Sequence, residues 1–254
     1  GEAGVSTTPR AGDDDPVNPL AQAMLLVSFP VVASVVGALL AVTRPPGPRF
    51  VSGVQHFAAG VVMAALVGEV MPELREMGNL VWTVAGFVGG AALVLIMGAW
   101  GRRVEGRRTA GHSISAAAGA ALPIGMLSAI AVDLLVDGVL IGLGSRLGFW
   151  QGVILAIALT LELLFLGLSV VAELRETGVP PRGSVLICFS LGLVTAVGAG
   201  LAVLLLGGVG TAAMAAVLAF GAAALLYLVV EELLVEAHEE RETVTLGAMF
   251  FLGF

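Results

Sequence analysis

Asp133 and Asp137 stand four residues apart inside the apolar run 116–146, and Glu162 stands near the middle of the next run, 150–174. Residues four apart on a helix share a face, with Cβ atoms about 5–6 Å apart, so the two aspartates can clamp one ion. Glu162, on an antiparallel neighbour at similar depth, can supply a third oxygen. A charge at the centre of a membrane helix costs roughly 2.5–3.5 kcal/mol on insertion scales. Three acids at one depth must therefore face one another, water or a cation, and a shared cation is the expectation. Oxygen-only ligation suits Mg2+, Ca2+ and Mn2+, whereas imidazole and thiolate favour zinc, copper and iron. Zinc stays in range because it accepts carboxylate oxygens. Like charges this close do not all stay ionised without an ion, so proton exchange against the cation belongs to the same expectation. The plainer alternative is that the acids share protons and bond to hydroxyls such as that of Thr160.

Those acids matter because of the elements that carry them. The 254 residues are 58% hydrophobic and 12% charged, with a mean hydropathy of +1.02. A spanning helix needs about 20 mostly apolar residues. Seven runs meet this, at 20–43, 50–74, 80–100, 116–146, 150–174, 183–206 and 211–236, and an eighth, 243–254, is short of a full span. The runs are continuously apolar and do not alternate, which excludes a β-barrel. The fold class is therefore all-α, a polytopic membrane bundle of about eight helices. Gly86-x-x-x-Gly90 and Gly138-x-x-x-Gly142 have the spacing of close helix contacts, although with 35 glycines such pairs also arise by chance.

The chain has no lysine, so its arginines set the orientation. With the N-terminus outside, nine arginines (44, 49, 102, 103, 107, 108, 175, 182 and 241) fall on the cytoplasmic side and three (10, 75 and 146) on the other. Eight helices return the C-terminus to the outside of the cell membrane. Residues 1–18 are polar, with an acidic run at Asp13, Asp14 and Asp15, and read as a disordered extracytoplasmic tail ahead of a transmembrane domain at 19–254. The net charge of −7 argues against nucleic acid as a partner. There is no Gly-rich phosphate loop and no His-Glu-x-x-His, so neither an ATP-driven pump nor an enzyme is expected. No prosthetic group is expected either.

Three stretches resemble the ZIP (Zrt/Irt-like) metal transporters. They are His56-Phe57-Ala58-Ala59-Gly60-Val61-Val62-Met63 followed by Glu69 and Met71-Pro72-Glu73, then Asp137-Gly138, and finally the seventh-run ending from Tyr227 through Glu231, Glu232, Glu236, His238 and Glu239 to Glu240. The resemblance implies an eight-helix fold in which helices 1, 4, 5 and 6 form a transport unit that slides, elevator-fashion, on a scaffold of helices 2, 3, 7 and 8. It also implies a homodimer in the bilayer and a metal site between helices 4 and 5. At that site the chain departs from the family. Asp133 stands for the usual histidine, Leu134 for the asparagine and Val136 for the proline of helix 4. On helix 5, Leu163, Phe165 and Leu166 replace the asparagine, proline and acid that follow the first ligand position, Glu162.

The resulting expectation is a secondary transporter of divalent cations, Zn2+ or Mn2+ among them, with one carboxylate site in place of a binuclear one. The alternative is a diverged relative that moves protons or an organic cation, or that senses. Glu69 and Glu73, near the outer end of helix 2, are entrance candidates. His238 and Glu239 are exit candidates by the resemblance. His56 reads as an interfacial hydrogen-bonder, and His112 stands alone in its loop. The missing prolines predict straight, unbroken helices 4 and 5.

Overall fold

In lipid every backbone N–H and C=O must be satisfied within its own segment, so each apolar run closes into a helix. The computed structural model describes residues 18–111, 124–237 and 243–254, and the expectations for the N-terminal tail, His112, His238 and Glu239 lie outside these residues. The helices are α1 (Pro19–Thr43), α2 (Pro48–Ala65, continuing through a π-helical stretch Leu66–Val70 into Met71–Met77), α3 (Leu80–Gly111) and α4 (Ile124–Leu147). They are followed by α5 (Phe149–Glu176), α6 (Pro181–Leu205), α7 (Thr211–Tyr227, π-helical Leu228–Leu233, then Leu234–Ala237) and α8 (Val244–Gly253).

Among the described residues seven helices are long and apolar enough to cross a membrane, and α8 is a shorter apolar helix. The protein is a multi-pass membrane helical bundle. α3 extends past its apolar run to Gly111, because arginine, glutamate and alanine continue a helix well once it has started. It is also the outlier in packing. Only 6% of its most apolar stretch is buried, against 33–56% for the other six spans. α4 and α5 are continuous α-helices past Val136 and Phe165.

Small residues decide who packs on whom, since lipid tails offer helices no hydrophobic drive to associate. α1 lies along α5, where a Cβ on Gly37 would strike the Leu164 carbonyl and one on Gly167 the Ser34 carbonyl. α4 lies along α6, with Gly138 against Thr195, Gly142 against Ala199 and Gly198 against Leu135. α3 lies along α7 through Gly86 on Ala216 and Gly90 on Phe220, and α8 lies on α2 through Gly60 on Phe250 and Gly253 on Phe57. Both sequence-spaced glycine pairs are thus at backbone contacts.

Two arginines tie helix ends together. Arg146, in the last turn of α4, donates to the carbonyls of Val203 (3.4 Å) and Gly207 (3.1 Å) at the end of α6. Arg175 donates from the end of α5 to Val42 O of α1 at 3.3 Å. A cation at a helix C-terminus also offsets the partial negative charge there. Arg146→Ala removes both the bonds and this charge, and is expected to lower stability by about 1–2 kcal/mol. A thermal melt of the purified protein checks it, and an unchanged midpoint would show that the tie contributes nothing.

Candidate metal centre

Glycine makes the hairpin that sets the depth of the site. α4 and α5 are joined at Gly148, and the turn is tight because a Cβ on Gly152 would lie 3.0 Å from Ser145 Cα. Asp137 precedes Gly148 by 11 residues and Asp133 by 15, while Glu162 follows it by 14. At the helical rise these are about 16, 22 and 21 Å from the turn, so Glu162 falls between the two aspartates in depth and closest to Asp133.

The side chains meet. One carboxylate oxygen each from Asp133, Asp137 and Glu162 lie within 4.8 Å of one another. Asp137 is 1% exposed and Glu162 2%, with Asp133 half-buried. Any two of these groups that are both ionised repel by roughly 3 kcal/mol at an effective dielectric of about 20. A cation bonded at about 2.4 Å to oxygens on opposite sides separates them by about 4.8 Å, so oxygens all within that distance of one another are spaced on the scale of a single ion's shell. A smaller ion, at about 2.1 Å, holds its oxygens no more than about 4.2 Å apart. The neighbouring positions are apolar: Leu134 and Leu163 are fully buried in a core cluster with Phe165, which is 3% exposed and also lines the cavity at Glu162. These are the residues that stand where the resemblance calls for polar groups and prolines.

Two cavities reach the cluster from different sides, with no lining residue in common. One of about 290 Å³ runs from Glu162 past Phe165 and Ser169 of α5 to Glu173, and along the π-helical stretch of α7 at Leu228, Glu231 and Leu233. The other, about 60 Å³, lies between α3, α4 and α7 and is lined by Asp133, Val136, Met97 and Tyr227. A water takes about 30 Å³ in the liquid, so the first has room for a partly hydrated ion and the second for only a few waters.

The remaining candidates are distributed elsewhere. Glu69 and Glu73 are half-buried on α2, Glu69 within its π-helical stretch. Among the described residues they neither join the carboxylate group nor line its larger cavity. His56 is a hydrogen-bonder packed inside the protein, and among the described residues it does not join the carboxylate group. It is 3% exposed, and its Nδ1 lies 2.9 Å from Ser52 O. A carbonyl only accepts, so Nδ1 carries the proton. Neighbours pack over it at the very end of its apolar run, which position in the sequence does not reveal. Sequence reasoning also passed over Glu173, whose place near a helix end reads as ordinary solvated charge, and Thr195. The Thr195 hydroxyl is fully buried on α6 and makes no hydrogen bond among the described residues, while its own carbonyl touches Gly138, next to Asp137. A lone threonine in an apolar run gives no signal.

Fold and site together define a multi-pass membrane helical bundle with a three-carboxylate cluster inside its spans. No protein-family model matches the chain, and no curated protein matches it.

Proposed function

We propose that this protein is a secondary carrier of divalent metal cations, a divergent ZIP-like transporter in which Asp133, Asp137 and Glu162 bind the transported ion. One observation carries the reading: three acids from two helices converge within 4.8 Å inside a membrane bundle, an arrangement costly to keep for packing alone. The 290 Å³ cavity supports it, because it gives Glu162 an approach wide enough for an ion and marked by the acids Glu173 and Glu231 at the exposed end. In the orientation set by the arginines, that approach faces the cytoplasm. The donors are oxygens only, which favours a hard ion such as Mn2+, with Zn2+ a competent competitor.

Titration calorimetry of the purified protein with Mn2+, Mg2+, Zn2+ and Cd2+ tests this. The expected result is saturable binding of one ion per chain, Mn2+ and Zn2+ among the binders, and Cd2+ no tighter than Zn2+. Heat from none of the four would end the metal-carrier reading. A second reading, an organic cation, draws on Phe165 and Leu166 in the cavity wall. Binding of a tetraalkylammonium ion without metal binding would select it.

A further inference from the structure

We propose that Leu140 of α4, seated in the notch left by Gly221 of α7, is a latch that holds two groups of helices in the arrangement seen here, with the Glu162 cavity open. The latch rests on the carrier reading for its purpose, and on the following contacts for its place.

Of the glycines whose neighbours are described, each one that meets another helix's backbone does so inside one of two groups. α1, α4, α5 and α6 are joined by Gly37, Gly138, Gly142, Gly167 and Gly198, and α2, α3, α7 and α8 by Gly60, Gly86, Gly90 and Gly253. The arginine ties of Arg146 and Arg175 also stay within the first group. Backbone-on-backbone contact leaves nothing that can give, because the atom in the way is a carbonyl and not the end of a flexible side chain. Each group is therefore stiff.

The seam between the groups is built differently. α4 faces α3 and α7 across a cavity of about 370 Å³ whose walls include Gly89, Val139 and Phe220, and across the 60 Å³ cavity beside Asp133. Beside these cavities the two groups share an apolar core, to which Leu140 belongs with Val62 of α2 and Leu218 and Leu225 of α7, and at Gly221 the contact is a side chain in a hole. A Cβ on Gly221 would lie 2.7 Å from Leu140 Cγ and 3.0 Å from its Cδ1, and Leu140 is fully buried. Of the glycines whose neighbours are described, Gly221 is the one whose missing side chain is replaced by an atom from the other group. A leucine can leave such a hole by rotating χ1 and χ2 between staggered wells, which a carbonyl packed on a glycine cannot do. Packed interfaces switch between discrete arrangements and do not deform continuously, so a knob in a hole within that shared core gives the seam a resting register. When Leu140 leaves the notch, α4 is free to move along α7. Asp133, Asp137 and the hairpin-linked Glu162 move with it, away from the α7 residues that form the far wall of the open cavity.

The test places a reporter in the cavity wall, Leu166→Cys in a Cys188→Ala background, and measures its rate of reaction with a membrane-impermeant cationic thiosulfonate in lipid nanodiscs. Leu140→Ala empties the notch and Gly221→Ala fills it, so each is expected to slow labelling at least three-fold as the open arrangement loses its hold. The double variant should be no slower than Leu140→Ala alone. If Leu140→Ala does not fold, Leu140→Val serves, since it falls one carbon short of the notch and should slow labelling in the same direction. Labelling within two-fold of the reference in both single variants overturns the latch. Calorimetry on the same samples separates the two readings. Cation binding with unchanged labelling removes the latch and leaves the carrier, while slowed labelling with no cation binding in any sample removes the carrier and leaves the latch.

Discussion

Asp137→Asn or Glu162→Gln is expected to lower the affinity for a divalent cation about 100-fold or more, while the metal-free protein becomes no less stable than the wild type. The affinity loss follows from removing one charged ligand from a dry site. Breaking a buried ionic interaction costs about 3–5 kcal/mol, and every 1.4 kcal/mol is tenfold in affinity. The stability half follows from the other side of the same physics. With no ion present, three acids within 4.8 Å burden the fold, each ionised pair by roughly 3 kcal/mol, and the amide keeps the shape while discarding the charge. Asp133→Asn should follow the same pattern more weakly, because Asp133 is half-buried and borders a second cavity, where its charge is less fully desolvated. The pairing of outcomes is what discriminates. Acids retained for packing would lose stability on substitution and leave metal binding where it was. Calorimetry with Mn2+, together with thermal melts in chelator and in excess Mn2+, reads both. A variant that melts lower than wild type in chelator and still binds Mn2+ at wild-type strength would falsify the site.

Much of this site was legible in the chain because its signals are rare ones. A carboxylate inside an apolar run costs free energy wherever the run ends up, so Asp133, Asp137 and Glu162 stood out before any fold was known. Their common depth was legible too, since one glycine turn separates two continuous runs. What was hidden depends on partners. The π-helical stretches Leu66–Val70 and Leu228–Leu233 have the same apolar and acidic composition as the α-helices around them, and nothing local marks a switch to i→i+5 bonding such as Met71 N to Leu66 O. Glycine spacing was a poor guide as well. Gly138 and Gly142 fit a recognised pattern, but Gly167 and Gly60 have no glycine four residues away and make equally close contacts. His56 stands near the start of its run, and its burial by tertiary packing has no signal there.

Gly138→Ala is the substitution expected to couple packing to binding. A Cβ at this position would meet the Thr195 carbonyl, with Thr195 C at 2.8 Å and Ala199 N at 2.9 Å. All three are backbone atoms of α6, so no rotamer change makes room and the helices must move apart. Alanine gains about 1 kcal/mol over glycine in helix propensity, but overpacking a well-filled contact costs about 1–3 kcal/mol, and here the neighbouring glycines at 142 and 198 prolong the same seam. The net expectation is a loss of about 1–2 kcal/mol, a fall of several degrees in the melting midpoint. A separation of α4 from α6 also displaces the adjacent Asp137 against Glu162. A donor set that must close to within a few tenths of an ångström for its ion should then bind about ten-fold more weakly. Gly138→Leu, with a side chain that α6 cannot accommodate, should not yield folded protein. Gly68→Ala is the matched comparison, because a methyl group added to that glycine of α2 would have nothing within 4 Å, and both midpoint and affinity should stay at wild-type values. Should Gly138→Ala prove as silent as Gly68→Ala, the α4–α6 contact does not set the position of Asp137, and the rigidity of the first helix group would have to come from elsewhere.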